Sequence, residues 1–541
     1  MTATALLMGC LLVLYFTALI LLFLYGINCY VMIHLHRRRV KQMLQADEEV
    51  WRRWQQTAQD LPVVTVQLPI YNERYVVQRL IDAVARIEYP RERLEIQVLD
   101  DSTDETTAIA AELVEAHRRA GTDITLLHRT ARTGYKAGAL RDGLAGARGE
   151  FIAIFDADFV PTPDFLIKTL PFFQDHAIAM VQVQWGHINR DYSLLTLVQS
   201  IGIDGHFWVE QAARCWSGLF MNFNGTAGIW RRTAIEDAGG WQADTLTEDL
   251  DLSYRAQLKG WRMKFLPQVV CPAEVPVQLT GARSQQHRWA KGSIQTARKL
   301  VPSILKADLP LFTKYQAVFH LTNYMVHPLM LLVVLSAPLL LQSERFLTVR
   351  EHLFAVAAFF SVATLGPSSM YLYAQKDLYP DWMRRLWAFP ALLVFGTGIA
   401  LSNTKAILEA LLNVRGTFIR TPKFRIEKRS DTWVGKRYRA PVPWLSLLEA
   451  LLALYCVYGV SLFLKRGTYL VDPFLLIYAL GFATVAGMSA WESIRASIPD
   501  PEPFRGPLPA DAAREREPVG GTGDTGELAV VVVPAERTAR R

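Results

Sequence analysis

The sequence predicts an α/β domain on a largely parallel sheet, inserted between membrane-spanning helices, and three observations predict it. Apolar residues make up 51% of the 541 and gather into long runs toward the two ends of the chain, the distribution of an integral membrane protein. Between Leu61 and Pro272 short β-branched runs alternate with helix-like stretches, which implies a parallel sheet with crossover helices. Acidic residues stand at the ends of three of these runs, where open α/β sheets bind their ligands. The length suits such a division, because single cores seldom grow beyond about 250–300 residues.

Residues 1–36 read as an anchor. Leu6 to Ile33 is almost uncharged, longer than a signal-peptide core and without a small-residue cleavage site. His34, His36, Arg37, Arg38, Arg39 and Lys41 follow at once and hold that end in the cytoplasm by the positive-inside bias. Residues 37–60 form a juxtamembrane helix. Residues 61–302 are then the cytoplasmic domain, with strands at Val63–Leu68, Leu94–Leu99, Ile124–Leu127, Phe151–Phe155 and Ile178–Val183. Residues 303–496 carry further runs at Ala317–Leu341, His352–Ala374, Trp387–Leu408, Trp444–Leu464 and Tyr469–Trp491, each near the length of a span. The basic loop 415–439 belongs on the side of the domain, yet three simple spans would place it opposite. One run must break the count. The candidate is Trp387–Leu408, interrupted by Gly396, Gly398, Ser402 and Asn403, as a re-entrant or interfacial segment. The total is five or six spans. Residues 497–541 turn to Pro, Gly, Ala and charge and read as a disordered tail.

Composition also excludes. The five cysteines have no CxxC spacing, so neither a disulfide framework nor a structural zinc site is expected. The net charge of +7 comes from basic residues beside the apolar runs, which points to membrane lipid and not to nucleic acid.

The chemistry lies at the strand ends. Tyr71, Asn72 and Glu73 follow the first strand and Asp100 and Asp101 the second; they suit a nucleotide's base and ribose, though an ordinary turn or helix cap uses the same residues. In Phe155-Asp156-Ala157-Asp158-Phe159, acidic residues interrupt an apolar strand. Residues two apart in extended chain point to one side, so Asp156 and Asp158 can converge on a hard cation, Mg²⁺ or Mn²⁺. Thr247-Glu248-Asp249 opens a helical stretch, where Thr247 or Asp249 can cap, a role compatible with Asp249 as a base that takes a hydroxyl proton. Gln285, Arg288 and Trp289 share one helical face. That face is either packing beside a membrane or a guanidinium fork for a diphosphate with an aromatic platform for a sugar.

Taken together, the spaced Asp, DxD, TED and QxxRW elements occur here in order, and the segment from Val63 to Leu300 resembles the processive glycosyltransferase family 2 enzymes. YNER at Tyr71, QVLDDSTDET at Gln97, GYKAGAL at Gly134, FDADF at Phe155, NGTAG at Asn224 and QQHRW at Gln285 resemble, more closely, the plant cellulose-synthase-like glucomannan and mannan synthases and their bacterial relatives. The resemblance implies a GT-A type nucleotide-sugar-binding fold and transfer of a hexose from GDP-mannose, or from UDP- or GDP-glucose, to a growing β-linked glycan. Transfer to a membrane lipid is the alternative. It implies Tyr71, Glu73, Asp100 or Asp101, and Lys136 around the nucleotide, a cation at Asp156 and Asp158, and Asp249 as general base. Gln285, Arg288, Trp289, Glu248, Asn224 and Gly225 would serve the diphosphate and acceptor. Phe418, Thr421 and Lys423 resemble the FxVTxK gating loop of cellulose synthases, with Arg420 and Pro422 departing from that pattern. Oligomeric state is not legible.

Overall fold

The computed structural model of the chain describes residues 3–56, 60–342, 365–414, 420–436, 444–465 and 472–496. The expected tail, most of the expected span His352–Ala374 and Phe418 lie outside the described residues.

One seven-stranded sheet runs in the order β3-β2-β1-β4-β6-β5-β7. β1 is Val64–Ile70, β2 Leu94–Asp100, β3 Ile124–His128, β4 Phe151–Ile154, β5 Ile178–His187, β6 Gly228–Arg231 and β7 Arg262–Ala273. All five predicted strands are present, and β1, β2 and β4 are buried almost throughout, which accounts for their unbroken apolar runs. β1 pairs in parallel with β2 and β4, and β5 in parallel with β7. β6, unpredicted, runs antiparallel to both β4 and β5. Its four residues are too few for periodicity to register. β7, also unpredicted, contains Pro267 and Pro272, which argue against a strand; its pairing with β5 shifts register between Val183 and Gln184, an irregularity that accommodates proline. The fold is therefore α/β of GT-A type, with a mostly parallel sheet. The crossovers reverse direction between β1 and β4, so the ends of β1, β2 and β4 open on one crevice.

A single helix, Ala3–Gln56, covers the expected anchor and most of the expected juxtamembrane segment. Asp47 near its end pairs with Lys264 of β7, tying it to the domain. Among the described residues five helices are long and apolar enough to cross a membrane: Leu6–Gln56, Asn323–Leu340, Trp382–Leu411, Leu445–Lys465 and Pro473–Arg495. The run expected to break the span count consists of two helices, Phe389–Gly398 and Ala400–Leu411, that meet at Ile399. Gly398 serves packing: a Cβ there would stand 2.5 Å from the Gly481 carbonyl oxygen, the close approach that small residues allow between apolar helices.

The helix Leu279–Lys306 joins the domain to this helical part and carries the QxxRW face. Arg283 pairs with Glu449 at 2.8 Å, both buried, and donates to Ser489 Oγ. The Thr280 hydroxyl donates to Glu492 at 2.8 Å. Glu409 accepts from Lys291 at 2.9 Å and lies 3.2 Å from His287. Three acidic residues inside apolar helices thus fix one helix of the sheet domain. Without partners they would be costly to bury.

Candidate active site

The crevice at the strand ends forms a cleft of about 180 Å³. Tyr71, Glu73, Asp101, Asp156 and Asp158 line it just beyond the strand ends and Lys136 from the helix Tyr135–Gly146; Asn224, Gly225, Glu248, Asp249, Gln285, Arg288 and Trp289 line it from the facing loops and helices, with Thr421 and Lys423.

Asp100 departs from the expected set. It is fully buried, and its carboxylate accepts from the Ser102 amide at 2.9 Å and the Thr107 hydroxyl at 2.7 Å and lies 2.8 Å from His128 Nδ1. As the last residue of β2 it points to the side of the sheet away from the cleft; Asp101, one residue on, faces it, because successive side chains alternate. Asp101 is gripped at 2.7 Å by both Nε and Nη2 of Arg129, a bidentate pair. The guanidinium of Arg132 lies 3.4 Å from the centre of the Tyr71 ring.

Each DxD carboxylate meets a lysine. Lys136 Nζ is 2.5 Å from Asp156 and donates to the Gly225 carbonyl at 2.9 Å. Lys423 Nζ is 2.6 Å from Asp158 and 2.6 Å from the Glu274 carbonyl. Arg420 pairs with Glu73 at 2.7 Å. Burial raises the Glu73 carboxyl to about 7 against the pull of Arg420. Burial also raises Asp156, with Lys136 opposing; it would lower Lys136, but Asp156 and Glu248 outweigh it and hold that lysine charged.

Glu248 and Asp249 begin the helix Glu248–Leu258. Two contacts lock its start against the QxxRW helix. The Leu246 amide donates to Gln295 Oε1 at 2.9 Å, and a Cβ on Gly292 would stand 2.5 Å from the Thr247 side chain. Asp249 Oδ1 accepts from the Leu250 amide at 2.8 Å. Burial first, then the charge of Glu248, raises Asp249 to about 7, the range in which a carboxylate accepts a proton most effectively. Burial lowers Arg288, while Glu248, Asp156, Asp249 and Asp158 all act to hold its charge; one guanidinium therefore feels the whole acidic set. Gly225 sits at φ +83°, and a Cβ there would stand 2.9 Å from Asp249 Oδ2. Only glycine brings the loop this close to the carboxylate.

Sequence reasoning missed the groups behind the loop at Asn224. Gln182 on β5 is fully buried; its amide donates to the carbonyls of Val183, Thr226 and Ala227, and its oxygen accepts from the Asn224 amide. A polar residue inside the apolar run Ile178–Val183 was the available signal. Glu274, which holds Arg79 and the Phe424 amide, gave none.

Residues 62–292 match the family profile described as Glycosyltransferase like family 2. This segment is a glycosyltransferase family 2 domain. The glycosyltransferase domain also carries the likeness to curated relatives: Glucomannan 4-beta-mannosyltransferase 1 of Oryza sativa subsp. japonica is 44% identical over 255 residues, 45% of this chain and 48% of that one. Glucomannan 4-beta-mannosyltransferase 2 of Arabidopsis thaliana is 45% identical over 253 residues, 46% and 47% of the two chains. The chain spans about half the length of the curated relatives it matches. Similar solved structures include the mannosyltransferase PcManGT from Pyrobaculum calidifontis in complex with GDP-Man and Mn²⁺, at 21% identity and TM-score 0.43, covering 73% of this chain and 100% of that one. Another is S. aureus TarS, at 17% identity and TM-score 0.35, covering 58% and 55%.

Proposed function

We propose that the chain is a membrane-embedded, cation-dependent inverting glycosyltransferase that extends a β-linked glycan, with GDP-mannose as the favoured donor and a mannan or glucomannan as product. The observation that carries this is the convergence of Asp156, Asp158, Asp249 and Arg288 on one cleft that continues into a larger cavity. The named relatives support mannose over glucose; the hexose itself rests on pocket contacts of the kind that fold does not determine.

The DxD site fits a hard cation. Each of its carboxylates already holds a cationic nitrogen within 2.6 Å, and both present hard oxygen ligands. Among the described residues no cluster of three or more His, Cys, Asp or Glu could hold a metal alone. That agrees with Mg²⁺ or Mn²⁺ taken with a diphosphate, since Mg²⁺ uses one or two carboxylates plus substrate phosphates. Such a cation, when bound, neutralises charge on the departing diphosphate.

The chain's own residues do the remainder. Tyr71, Glu73, Asp101 and Lys136 surround the nucleotide, and Arg288 stabilises the diphosphate through its planar fork. Asp249 removes the proton from the acceptor hydroxyl as it attacks the anomeric carbon in line, which inverts an α-sugar to a β-linkage. Thr421 and Lys423 lie over the cleft, in the manner of a gating loop. Their basic surroundings and the cluster from Arg37 to Lys41 support a cytoplasmic domain through the positive-inside bias.

Asn224, Asp249, Gln285 and Trp289 also line the second cavity, of about 700 Å³, which runs between the helices past Tyr324, Tyr371 and Tyr478. A cavity of this size and aromatic lining suits a growing saccharide chain on its way through the membrane. Its apolar lining, at Leu19, Leu22 and Val333 among others, favours transfer to a membrane lipid as the second reading. The deciding experiment incubates the purified full-length protein in lipid with labelled GDP-mannose, GDP-glucose or UDP-glucose, with and without divalent cation, and sizes the product. Cation-dependent, high-molecular-weight material cleaved by a β-mannanase is expected. A single-sugar lipid product would select the second reading, and no transfer from any donor would end both.

A further inference from the structure

His206 to Gln211 form a π-helical turn inserted between the helices Leu194–Gly205 and Ala212–Trp216. Such turns interrupt α-helices rarely and gather at functional sites. In an α-helix, positions 206 and 211 would point about 140° apart at 3.6 residues per turn. The wider i→i+5 turn brings them to one side, and here both reach the same side chain. Gln211 Nε2 donates to Asn224 Oδ1 at 2.6 Å, and Asn224 Nδ2 lies 3.0 Å from His206 Nε2. His206 Nδ1 lies 3.1 Å from Glu210 Oε2, and Arg214 donates to the other oxygen of Glu210 at 3.1 Å.

These contacts permit one consistent assignment of hydrogens. The Asn222 carbonyl accepts from Gln211 Nε2 at 2.8 Å and fixes that end of Gln211 as its NH₂, so Gln211 donates to Asn224 Oδ1 and the NH₂ of Asn224 donates to His206 Nε2. The imidazole then carries its hydrogen on Nδ1 and gives it to Glu210, whose charge Arg214 balances. Burial alone would raise Glu210, but Arg214 and His206 pull it well below the usual carboxylate range, so it stays an acceptor. Asn224 stands where the cleft and the larger cavity meet, and His206 and Glu210 line that cavity.

We propose that this π-turn is the acceptor-positioning element: His206 and Gln211 clamp the two ends of the Asn224 amide, so that its remaining hydrogen-bonding capacity meets the terminal sugar of the acceptor beside Asp249. His206 is a positioning residue, acting through Asn224, and Glu210 sets its tautomer. The inference rests on the glycosyltransferase reading above and adds residues of the acceptor side to it.

The test uses full-length protein in lipid, a nucleotide-hexose donor and β-1,4-manno-oligosaccharides as acceptor probe. His206→Phe keeps the ring volume and removes the acceptor nitrogen; His206→Gln returns an oxygen near the same place; Glu210→Gln leaves the ring but releases its tautomer. For His206→Phe the acceptor KM is expected to rise about tenfold, the loss of one hydrogen bond to a fixed amide, with the donor KM within about twofold. His206→Gln should recover most of the loss, and Glu210→Gln should shift acceptor KM in the direction of His206→Phe. Unchanged acceptor KM in His206→Phe overturns the proposal. So does a parallel loss of donor and acceptor affinity without rescue by glutamine, since that marks a purely structural role. Wild-type protein inert toward every donor would instead mark failure of the underlying reading.

Discussion

The two sides of the cleft treat their carboxylates in opposite ways. On the donor side every carboxylate that faces the cleft is matched: Asp101 by Arg129, Asp156 by Lys136, Asp158 by Lys423 and Glu73 by Arg420. On the acceptor side Glu248 and Asp249 stand adjacent, with no ion pair among the described residues, and Asp249 rises to about 7. The contrast assigns different work to the same functional group. The matched carboxylates each sit against a resident cation, and the DxD pair can exchange its two lysines for an arriving cation and diphosphate. A buried carboxylate beside a like charge holds a proton loosely near neutral pH, as a general base requires.

If that division holds, the largest effect belongs to the base. Asp249→Asn should lower transfer by about 10³-fold, within the range for loss of a positioned base, measured as labelled hexose incorporated per enzyme. Asp156→Ala should weaken cation-dependent donor binding by about 10²-fold, read by titration of the nucleotide with and without cation; an unchanged cation requirement would break the comparison on the donor side. Transfer should fall about tenfold per pH unit below about 7, because Asp249 must be ionised to act and its raised pKa means that it protonates early as the pH drops. A profile flat to pH 5.5 would remove Asp249 as the titrating base. Gly225→Ala should cost a further, smaller factor of about tenfold: the left-handed backbone there costs a non-glycine residue about 1–2 kcal/mol, and the new methyl crowds Asp249 Oδ2.

The donor side was the more legible in sequence, because its residues follow strands whose apolar runs mark their own ends. The alternation of side chains places Asp101 in the cleft and Asp100 behind it, yet which of two adjacent aspartates lies at an odd position depends on the last residue of β2. That boundary cannot be read to a single residue. The acceptor side was legible only as the motifs at Asn224, Asp249 and Gln285. Its supports, Gln182 on a buried strand and the π-turn from His206 to Gln211, depend on pairing across the sheet and on a helix irregularity that no local pattern announces. β6 and β7 escaped for related reasons: one is shorter than any periodicity, and the other carries prolines that pairing with β5 tolerates. Glu409, Glu449 and Glu492 stand as charges inside apolar helices, and their partners on the QxxRW helix are evident only with the helices assembled.

The division of labour meets its most direct test in donor binding by the Asp249→Asn protein. Titrated with GDP, with and without Mn²⁺, alongside the wild type, it should show the same cation-dependent affinity within about threefold, because the replaced residue serves the acceptor and not the nucleotide. Loss of that affinity to the level of Asp156→Ala would show that the two sides act as one metal site, and would contradict the account.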